Sequence, residues 1–401
     1  MPNLKIVKSE SKDEFEASVR RHKRRRLFKW GFIGFIAFWV IVAVYLYYQN
    51  LLYTEYVIVS KTAREDSEKS QYIGFNGHVL KYSNDGAEAF DGTNQKLWNV
   101  TYEMQNPRIA TCNDMTAIGD ASGTRIYVMD IEGTQTSIDT KLPAVNFCVA
   151  EQGVVAAVLD DGTAMRIKLY DRDGTELAGM KCTMSQSGYP IDVSLSPDGT
   201  LLGVSYVRIE KGVMCSTVAF YNFGDVGQNE IDNYASGYDY NGVIFPQIKF
   251  LSSSSCVAVG DHKLTVYHGD QKPEETDEID ISEDIQSVYY GENRVGLVTR
   301  NGVGEDSYML KVYDTKNKKH TDALSQNFVL SYTDICLANE LAVIYNDTEC
   351  LIYDMKGMTK FSGEFEDPTL LMVPTKSRTK YILVNRNTTQ MIRLRRGRSV
   401  L

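Results

Sequence analysis

The longest apolar run of the chain lies near its N-terminus. No charged side chain occurs from Trp30 to Thr54. As an α-helix, such a run is long enough to cross the hydrocarbon core of a bilayer, which is about 30 Å thick. Trp30 precedes the apolar centre and several tyrosines follow it, as is typical of the membrane interface. The pattern predicts a transmembrane helix over residues 30–50, behind a tail over residues 1–29.

Beyond this run the pattern changes to short strands. The segment TEYVIVSKT, residues 54–62, alternates between apolar and polar positions and is rich in β-branched residues, which predicts a strand. The polar residues 63–70 predict a loop. Residues 51–70 are therefore interpreted as a strand and a linker, and residues 71–401 as one large outer domain.

The outer domain repeats one feature at nearly even spacing. Short apolar runs end in an aromatic residue or Met, and Asp or another polar residue follows each run; a last, degenerate copy ends at Arg395. The polar positions recur at intervals of 39 to 51 residues. These end positions are Asp91, Asp130, Asp171, Asn222, His268, Asp314, Asp354 and Arg395. A repeat of this length that contains several short strands is typical of the blades of a β-propeller.

Each repeat divides into four strands, and each of these runs ends the third strand. The last repeat has only three strands before the chain ends, whereas strand 54–62 precedes the first repeat without a partner. We expect strand 54–62 to complete the last blade and close the ring, which leaves no open sheet edge. The predicted fold is all-β, an eight-bladed β-propeller behind one N-terminal transmembrane α-helix; seven blades are possible if the last repeat is a tail.

Charge divides the chain into two parts. Residues 1–29 have a balance of +6, and the remainder has −15 of the total of −9. The basic residues next to the apolar run are Arg20, Arg21, Lys23, Arg24, Arg25, Arg26 and Lys29. Basic residues beside a transmembrane helix stay in the cytoplasm. We therefore expect contact with membrane lipid through the helix and an extracytoplasmic outer domain. An acidic domain of this kind does not favour nucleic acid as a partner.

The seven cysteines are expected to be free thiols. Their number is odd, no CxxC pair occurs, and Cys148, Cys256 and Cys350 lie in apolar strand patterns. Such isolated cysteines are typical of small buried side chains. Zinc and thioredoxin-like chemistry receive no support from this spacing.

Four stretches carry a resemblance to a known family. They are residues 74–86, 96–107, 187–200 and 218–233. In these the chain resembles a family of uncharacterised, single-pass bacterial envelope proteins that is found mainly in clostridia and their relatives. The outer domain of that family is similar to quinoprotein-like propellers. The resemblance implies a fold and a topology, and it implies no catalytic residues.

The quinoprotein similarity raises the question of a quinone cofactor. Lys96-Leu97-Trp98 resembles one blade signature of those enzymes, but only one copy occurs and there is no adjacent cysteine pair. Asp171–Gly174 begins like a calcium loop but lacks the remaining ligands, so we interpret it as a turn. We interpret the acidic run 274–284 as a solvated fourth strand and its loop. No catalytic residue, cofactor or metal is predicted.

The longest repeat provides the candidate partner-binding loop. Extra length in a blade usually forms loops, and loops on a rigid scaffold often bind partners. The candidates are Tyr221, Phe223, Tyr238, Tyr240 and Asn241. Packing of these tyrosines between blades is the alternative.

These observations predict a membrane-anchored, non-catalytic scaffold that binds a protein or a glycan in the cell envelope. Two alternatives remain open. One is an envelope hydrolase or lyase that uses carboxylates in the propeller funnel. The other is a signal relay through the basic tail.

Overall fold

The computed structural model describes residues 12–49, 51–64, 69–183, 187–302, 304 and 306–397. The chain forms two compact units, Met1–Leu52 and Tyr53–Leu401. The first unit contains one helix, α1, over Lys12–Gln49.

Helix α1 begins well before the apolar run, so the basic cluster and the apolar residues belong to one continuous element. The side chains of Trp30, Phe32 and Trp39 are exposed. In the part of the chain that the structure describes, no helix is both long and apolar enough to cross a membrane. The predicted transmembrane helix over residues 30–50 is therefore not supported.

The second unit consists of eight four-stranded antiparallel sheets, and each sheet is one blade. Blades 1 to 4 comprise β2 (Gln71–Phe75), β3 (His78–Ser83), β4 (Gly86–Phe90) and β5 (Lys96–Thr101); β6 (Pro107–Cys112), β7 (Met115–Asp120), β8 (Arg125–Asp130) and β9 (Gln135–Asp139); β10 (Ala144–Val149), β11 (Val155–Asp160), β12 (Met165–Tyr170) and β13 (Glu176–Cys182); and β14 (Tyr189–Leu195), β15 (Leu201–Glu210), β16 (Val213–Asn222) and β17 (Tyr234–Asn241).

Blades 5 to 7 continue in the same order, and blade 8 takes its fourth strand from the start of the unit. They comprise β18 (Gln247–Phe250), β19 (Ser255–Val259), β20 (Lys263–His268) and β21 (Glu274–Asp280); β22 (Ile285–Gly291), β23 (Arg294–Arg300), β24 (Ser307–Asp314) and β25 (Thr321–Val329); β26 (Asp334–Ala338), β27 (Leu341–Tyr345), β28 (Glu349–Asp354) and β29 (Thr359–Glu364); and β30 (Thr369–Pro374), β31 (Lys380–Asn385), β32 (Thr388–Arg395) and β1 (Glu55–Ala63).

The eight-bladed prediction is confirmed. All eight of the predicted end positions fall at, or one residue after, the end of a third strand. The acidic run contains β21, the fourth strand of blade 5, and Asp171–Gly174 forms the turn between β12 and β13.

Strand β1 closes the ring by pairing antiparallel with β32. The pairing runs from Glu55 opposite Arg395 to Ala63 opposite Thr388. Tyr56 and Ile58 lie on the same side of β1 and pack against the cluster between blades 7 and 8. The predicted pairing of segment 54–62 with the last repeat is therefore present.

The hydrophobic core lies between blades. Among the residues that the structure describes, eight clusters of buried side chains occur, one at each of the eight interfaces between neighbouring blades. The second strands, such as β11 and β27, are buried along nearly their whole length because both of their faces pack against a neighbouring blade. Packing between neighbouring blades therefore holds the ring together, and turns between strands form its two ends.

The order of the strands assigns each turn to one end of the ring. Because consecutive strands are antiparallel, the turns after first and third strands share one end. The turns after second and fourth strands share the other. We call the first of these the funnel end, since the central cavity opens there.

Candidate functional site

A cavity of about 930 Å³ lies inside the ring at the funnel end. Its walls are the first strands of blades 2 to 6, and its mouth is formed by the turns that follow those strands. The turn residues at the mouth are Asn113, Glu151, Pro197, Ser252, Ser253 and Glu292. We call this cavity the funnel.

Two irregular first strands position the polar wall of the funnel. The pairing register shifts just before Asn146 in β10 and just before Asp192 in β14. Such bulges re-aim the side chain that follows them. The Asn146 side-chain amide donates to Asp192 Oδ1 at 3.0 Å, and the Ile248 backbone N–H donates to Oδ2 at 2.8 Å. Asp192 thereby connects blades 3, 4 and 5.

Asp192 is a carboxyl group in a largely enclosed site. Burial raises its pKa, and the rise is reduced by the hydrogen bonds from Ile248 and Asn146 and by the charge of Lys249. Both oxygens already accept hydrogen bonds, which stabilises the charged form at the wall. With both oxygens hydrogen-bonded, the Asp192 carboxyl group links the blades and is not positioned as a free acid or base.

Among the funnel-lining residues that the structure describes, Lys249 on β18 is the only one with a positively charged side chain. Its charge acts on Asp192 and on the thiols of Cys112 and Cys148. Burial nevertheless raises the pKa of Cys112 to about 11 and that of Cys148 to about 12. These thiols stay protonated near neutral pH, and a protonated thiol is a poor nucleophile and metal ligand.

Hydrogen bonds between turns stiffen the mouth of the funnel. The Asn113 side-chain amide donates to the Glu151 carboxylate, and the Glu151 backbone N–H donates to the Pro197 carbonyl at 2.9 Å. The Gln152 side chain donates to the Asp198 carbonyl at 2.8 Å. Turns of blades 2, 3 and 4 are therefore linked in series, so this part of the rim is a fixed surface.

The lining sets limits on the chemistry. Catalysis at a glycosidic bond needs two carboxyl groups facing each other across the substrate. In the described lining Asp192 is hydrogen-bonded on both oxygens, while Glu151 and Glu292 lie in turns at the mouth. Among the residues that the structure describes, no group of three or more His, Cys, Asp or Glu side chains could hold a metal ion.

The five predicted partner-binding residues do not form one loop. Tyr221 and Tyr240 are buried on β16 and β17, where their hydroxyls contact those of Tyr206 at 2.9 Å and Tyr267 at 2.7 Å. The Tyr238 hydroxyl donates to the Pro273 carbonyl at 3.2 Å. Tyr238 and Tyr240 thus contact blade 5, and Tyr221 belongs to the cluster between blades 3 and 4, so the three tyrosines pack between blades.

The other two candidates lie at strand ends. Phe223 follows β16 and packs against the cluster between blades 3 and 4. Asn241 is exposed at the end of β17, and the Cys215 thiol donates to its side-chain oxygen at 3.3 Å. Because β16 and β17 are antiparallel, Phe223 and Asn241 lie at opposite ends of the ring.

The basic cluster lies within α1. The side chains of Lys23, Arg26 and Lys29 are exposed. The side chains of Arg20, Arg21, Arg24 and Arg25 lie outside the part that the structure describes.

Sequence reasoning missed the funnel wall, although the sequence contained a signal. In five consecutive blades the first strand has a polar residue directly followed by an apolar one. These pairs are Asn146-Phe147, Asp192-Val193, Gln247-Ile248, Ser287-Val288 and Asp334-Ile335. A polar residue that recurs at the same register position of these five innermost strands indicates a polar wall around the central channel.

Several solved structures are similar to this chain. For the crystal structure of BamB from Moraxella catarrhalis, the TM-score is 0.52 at 8% identity, with 85% of this chain and 100% of that chain covered. For the WD40 domain of Neurospora crassa Pan2, the TM-score is 0.43 at 9% identity, with 85% and 96% covered. For Chaetomium thermophilum Raptor, it is 0.47 at 8% identity, with 88% and 30% covered.

At these identities the similarity to BamB extends to the fold alone. No curated protein matches the sequence. The model of a family of unknown function, DUF5711, matches residues 48–394, which is most of the chain. The chain therefore belongs to the DUF5711 family of unknown function.

Proposed function

We propose that this protein is a non-catalytic binding module that holds a protein partner at the funnel end of its propeller. The observation that carries the proposal is the funnel itself, a wide cavity with a hydrogen-bonded rim on a closed ring. A rigid, pre-formed surface binds without the cost of ordering loops, so it suits a scaffold.

The composition of the funnel favours a protein partner. Apolar side chains such as Ile109, Phe250 and Leu251 alternate with Lys249 and with the carboxylates of Glu151 and Glu292. A mixed surface of this kind resembles a protein interface, which combines apolar contact with a polar rim. The enzyme alternative is less well supported, because Asp192 is committed to hydrogen bonds across three blades.

Site-specific photocrosslinking of the full chain in its own cells tests this proposal. A photoreactive phenylalanine analogue replaces Ser253 at the funnel mouth, and in a matched control it replaces Lys211 at the opposite end. We expect a discrete crosslinked protein from position 253, weakened by Lys249→Glu, and none from position 211. Equal crosslinking from both positions, or none from position 253, would overturn the proposal.

A location in the cell envelope, with the propeller outside the cytoplasm, stays a prediction from the charge pattern. It is supported by the basic balance of residues 1–29 and the acidic balance of the remainder. Protease treatment of intact cells should digest the propeller before lysis. Protection of the propeller until lysis would contradict this location.

A further inference from the structure

A second feature of the funnel end is the connection between β16 and β17 of blade 4. This segment, residues 223–233, contains two short 3₁₀ helices, Gly227–Asn229 and Ile231–Asn233. We call it the outer loop. As a turn after a third strand, it lies at the funnel end. The Phe223 backbone N–H donates to the Thr200 carbonyl at 2.8 Å, which ties the outer loop to the funnel turn of the same blade.

The outer loop is a shaped element. The Asn222 side chain accepts from the Gly224 backbone N–H and donates to the Gln271 carbonyl of blade 5, both at 2.8 Å. Gly227 packs so closely that a Cβ atom there would lie 1.7 Å from the Asn222 carbonyl oxygen. These contacts fix the path of the chain on both sides of Val226.

Three apolar side chains of this region face solvent. Ile231 is 86% exposed, and Val226 and Tyr234 are each 47% exposed. Val226 and Ile231 belong to the outer loop, and Tyr234 begins β17 directly after it. Isolated exposed apolar residues are common on protein surfaces, whereas contiguous exposed apolar patches mark contact sites. Their position beside the funnel turn of blade 4 makes them continuous with the proposed binding surface.

Charge indicates what covers this surface. Asp225, Glu230 and Asp232 are exposed in the outer loop. The sequence contains no Lys or Arg from Gly212 to Ile248, and the two positive residues of blade 4, Arg208 and Lys211, lie toward the opposite end of the ring. Lys272 lies in the blade 5 turn beside the outer loop, which leaves a local excess of negative charge. A ligand with positive charges would complement the surface, and an acidic ligand would be repelled. A second copy of this propeller fits poorly, because residues 30–401 carry a net charge of −15.

We propose that the outer loop is a second contact of the funnel end, and that it binds a segment of the partner protein in which basic residues accompany an apolar one. The apolar side chain packs on Ile231 and Val226, and the basic residues face Asp225, Glu230 and Asp232. This inference rests on the proposed function, since it extends the same binding surface outward from the funnel.

Binding of defined peptides to the full chain tests the inference. The probes are three fluorescent 12-residue peptides of alternating Lys and Leu, Lys and Ser, or Glu and Leu, measured by anisotropy. We expect the Lys–Leu peptide to bind at least tenfold more tightly than either of the others. The double variant Val226→Ser, Ile231→Ser and the charge variant Asp225→Lys, Glu230→Lys should each weaken it at least tenfold.

The matched control is at the other end of the same blade. Ile209 and Met214, which are 67% and 48% exposed near the turn between β15 and β16, are replaced by serine. We expect this control to bind the Lys–Leu peptide like the natural protein. Equal weakening by the control, equal binding of the Glu–Leu peptide, or no binding to the natural protein would overturn the inference. Thermal unfolding of each variant establishes that it is folded.

The two proposals fail in different ways. If the outer-loop variants bind the peptide normally while position 253 still crosslinks to one protein, the outer-loop inference is wrong and the funnel proposal stands. If position 253 gives no crosslink, the funnel proposal is wrong whatever the peptides do.

Discussion

Lys61 and Asp367 are 306 positions apart in the sequence, yet the Lys61 ammonium lies 2.8 Å from the Asp367 carboxylate. The Gln390 side chain donates to the same carboxylate oxygen at 3.0 Å. Strand β1 is thereby connected to blade 8 by side chains as well as by its backbone. The ion pair is exposed, and solvent screens such pairs strongly. The backbone ladder and the packing of Tyr56 and Ile58 therefore account for most of the closure.

Removal of the closing strand should destabilise the whole ring. A chain that starts at residue 71 loses the ladder from Glu55 to Ala63 and opens the edge of β32. At about 1 kcal/mol per net hydrogen bond, this loss is comparable to the total stability of a typical domain. We expect the chain to aggregate or to unfold at least about 10 °C below one that starts at residue 50. Equal melting temperatures would mean that β1 does not hold the ring closed.

The stability contributed by Asp192 should depend on pH. Because its pKa is raised in the folded state, the folded protein binds this proton more tightly than the unfolded chain does. The free energy of unfolding, relative to that of Asp192→Asn, should therefore fall as the pH rises from about 4 through the folded-state pKa. Urea unfolding of both proteins across this pH range measures the difference between their free energies of unfolding.

Asp284→Asn is the control for the pH experiment, because Asp284 is an exposed acidic residue of the same ring. A constant difference between the natural protein and Asp192→Asn would mean that the Asp192 pKa is not raised by folding.

Tyr221 should matter for stability more than for binding. Its hydroxyl lies 2.9 Å from that of Tyr206, and the Cys182 sulfur lies 3.7 Å from the same Tyr206 hydroxyl. Tyr221→Phe removes the Tyr221 hydroxyl and its hydrogen bond with Tyr206. The free energy of unfolding should fall by about 1 kcal/mol. Crosslinking from position 253 should be unchanged. A loss of crosslinking in a variant of unchanged stability would instead support the sequence-based binding candidate.

The seven cysteines should remain free and react slowly. The structure contains all seven as free thiols, and burial raises the pKa of those at Cys112, Cys148 and Cys336. Mass spectrometry after alkylation in denaturant without reductant should find seven modified cysteines. The folded protein should be alkylated much more slowly. A disulfide in most molecules would contradict the assignment.

Gly227 offers a local test of the outer loop. In Gly227→Ala the new methyl group meets a backbone carbonyl, which cannot move aside without displacing the loop. In Gly224→Ala it meets only the Asn222 side-chain oxygen, at 3.2 Å. We expect Gly227→Ala to weaken binding of the Lys–Leu peptide more than Gly224→Ala does. The reverse order would mean that the path of the loop does not depend on this contact.

The sequence by itself determined the blades and their number. Each blade is made of neighbouring strands, so alternation of period two and recurring strand ends such as Asp130 and Asp171 were local signals. The partner of segment 54–62 could also be predicted. The last repeat lacks a fourth strand and segment 54–62 lacks a partner, so pairing the two closes the ring. A helix over residues 30–50 was predicted and lies within α1, but its predicted transmembrane character is not supported.

Only the tertiary structure decided which polar residues meet. Asn146 and Asp192 are 46 positions apart, and their contact depends on bulges in two different strands. The tyrosines of blade 4 were ambiguous for a related reason. A tyrosine has an apolar ring and a polar hydroxyl, so its sequence context does not tell whether a neighbouring blade covers it. The packing of blade 5 buried Tyr240, whereas the path of the outer loop left Ile231 in solvent. Such outcomes depend on contacts between blades, which no local pattern encodes.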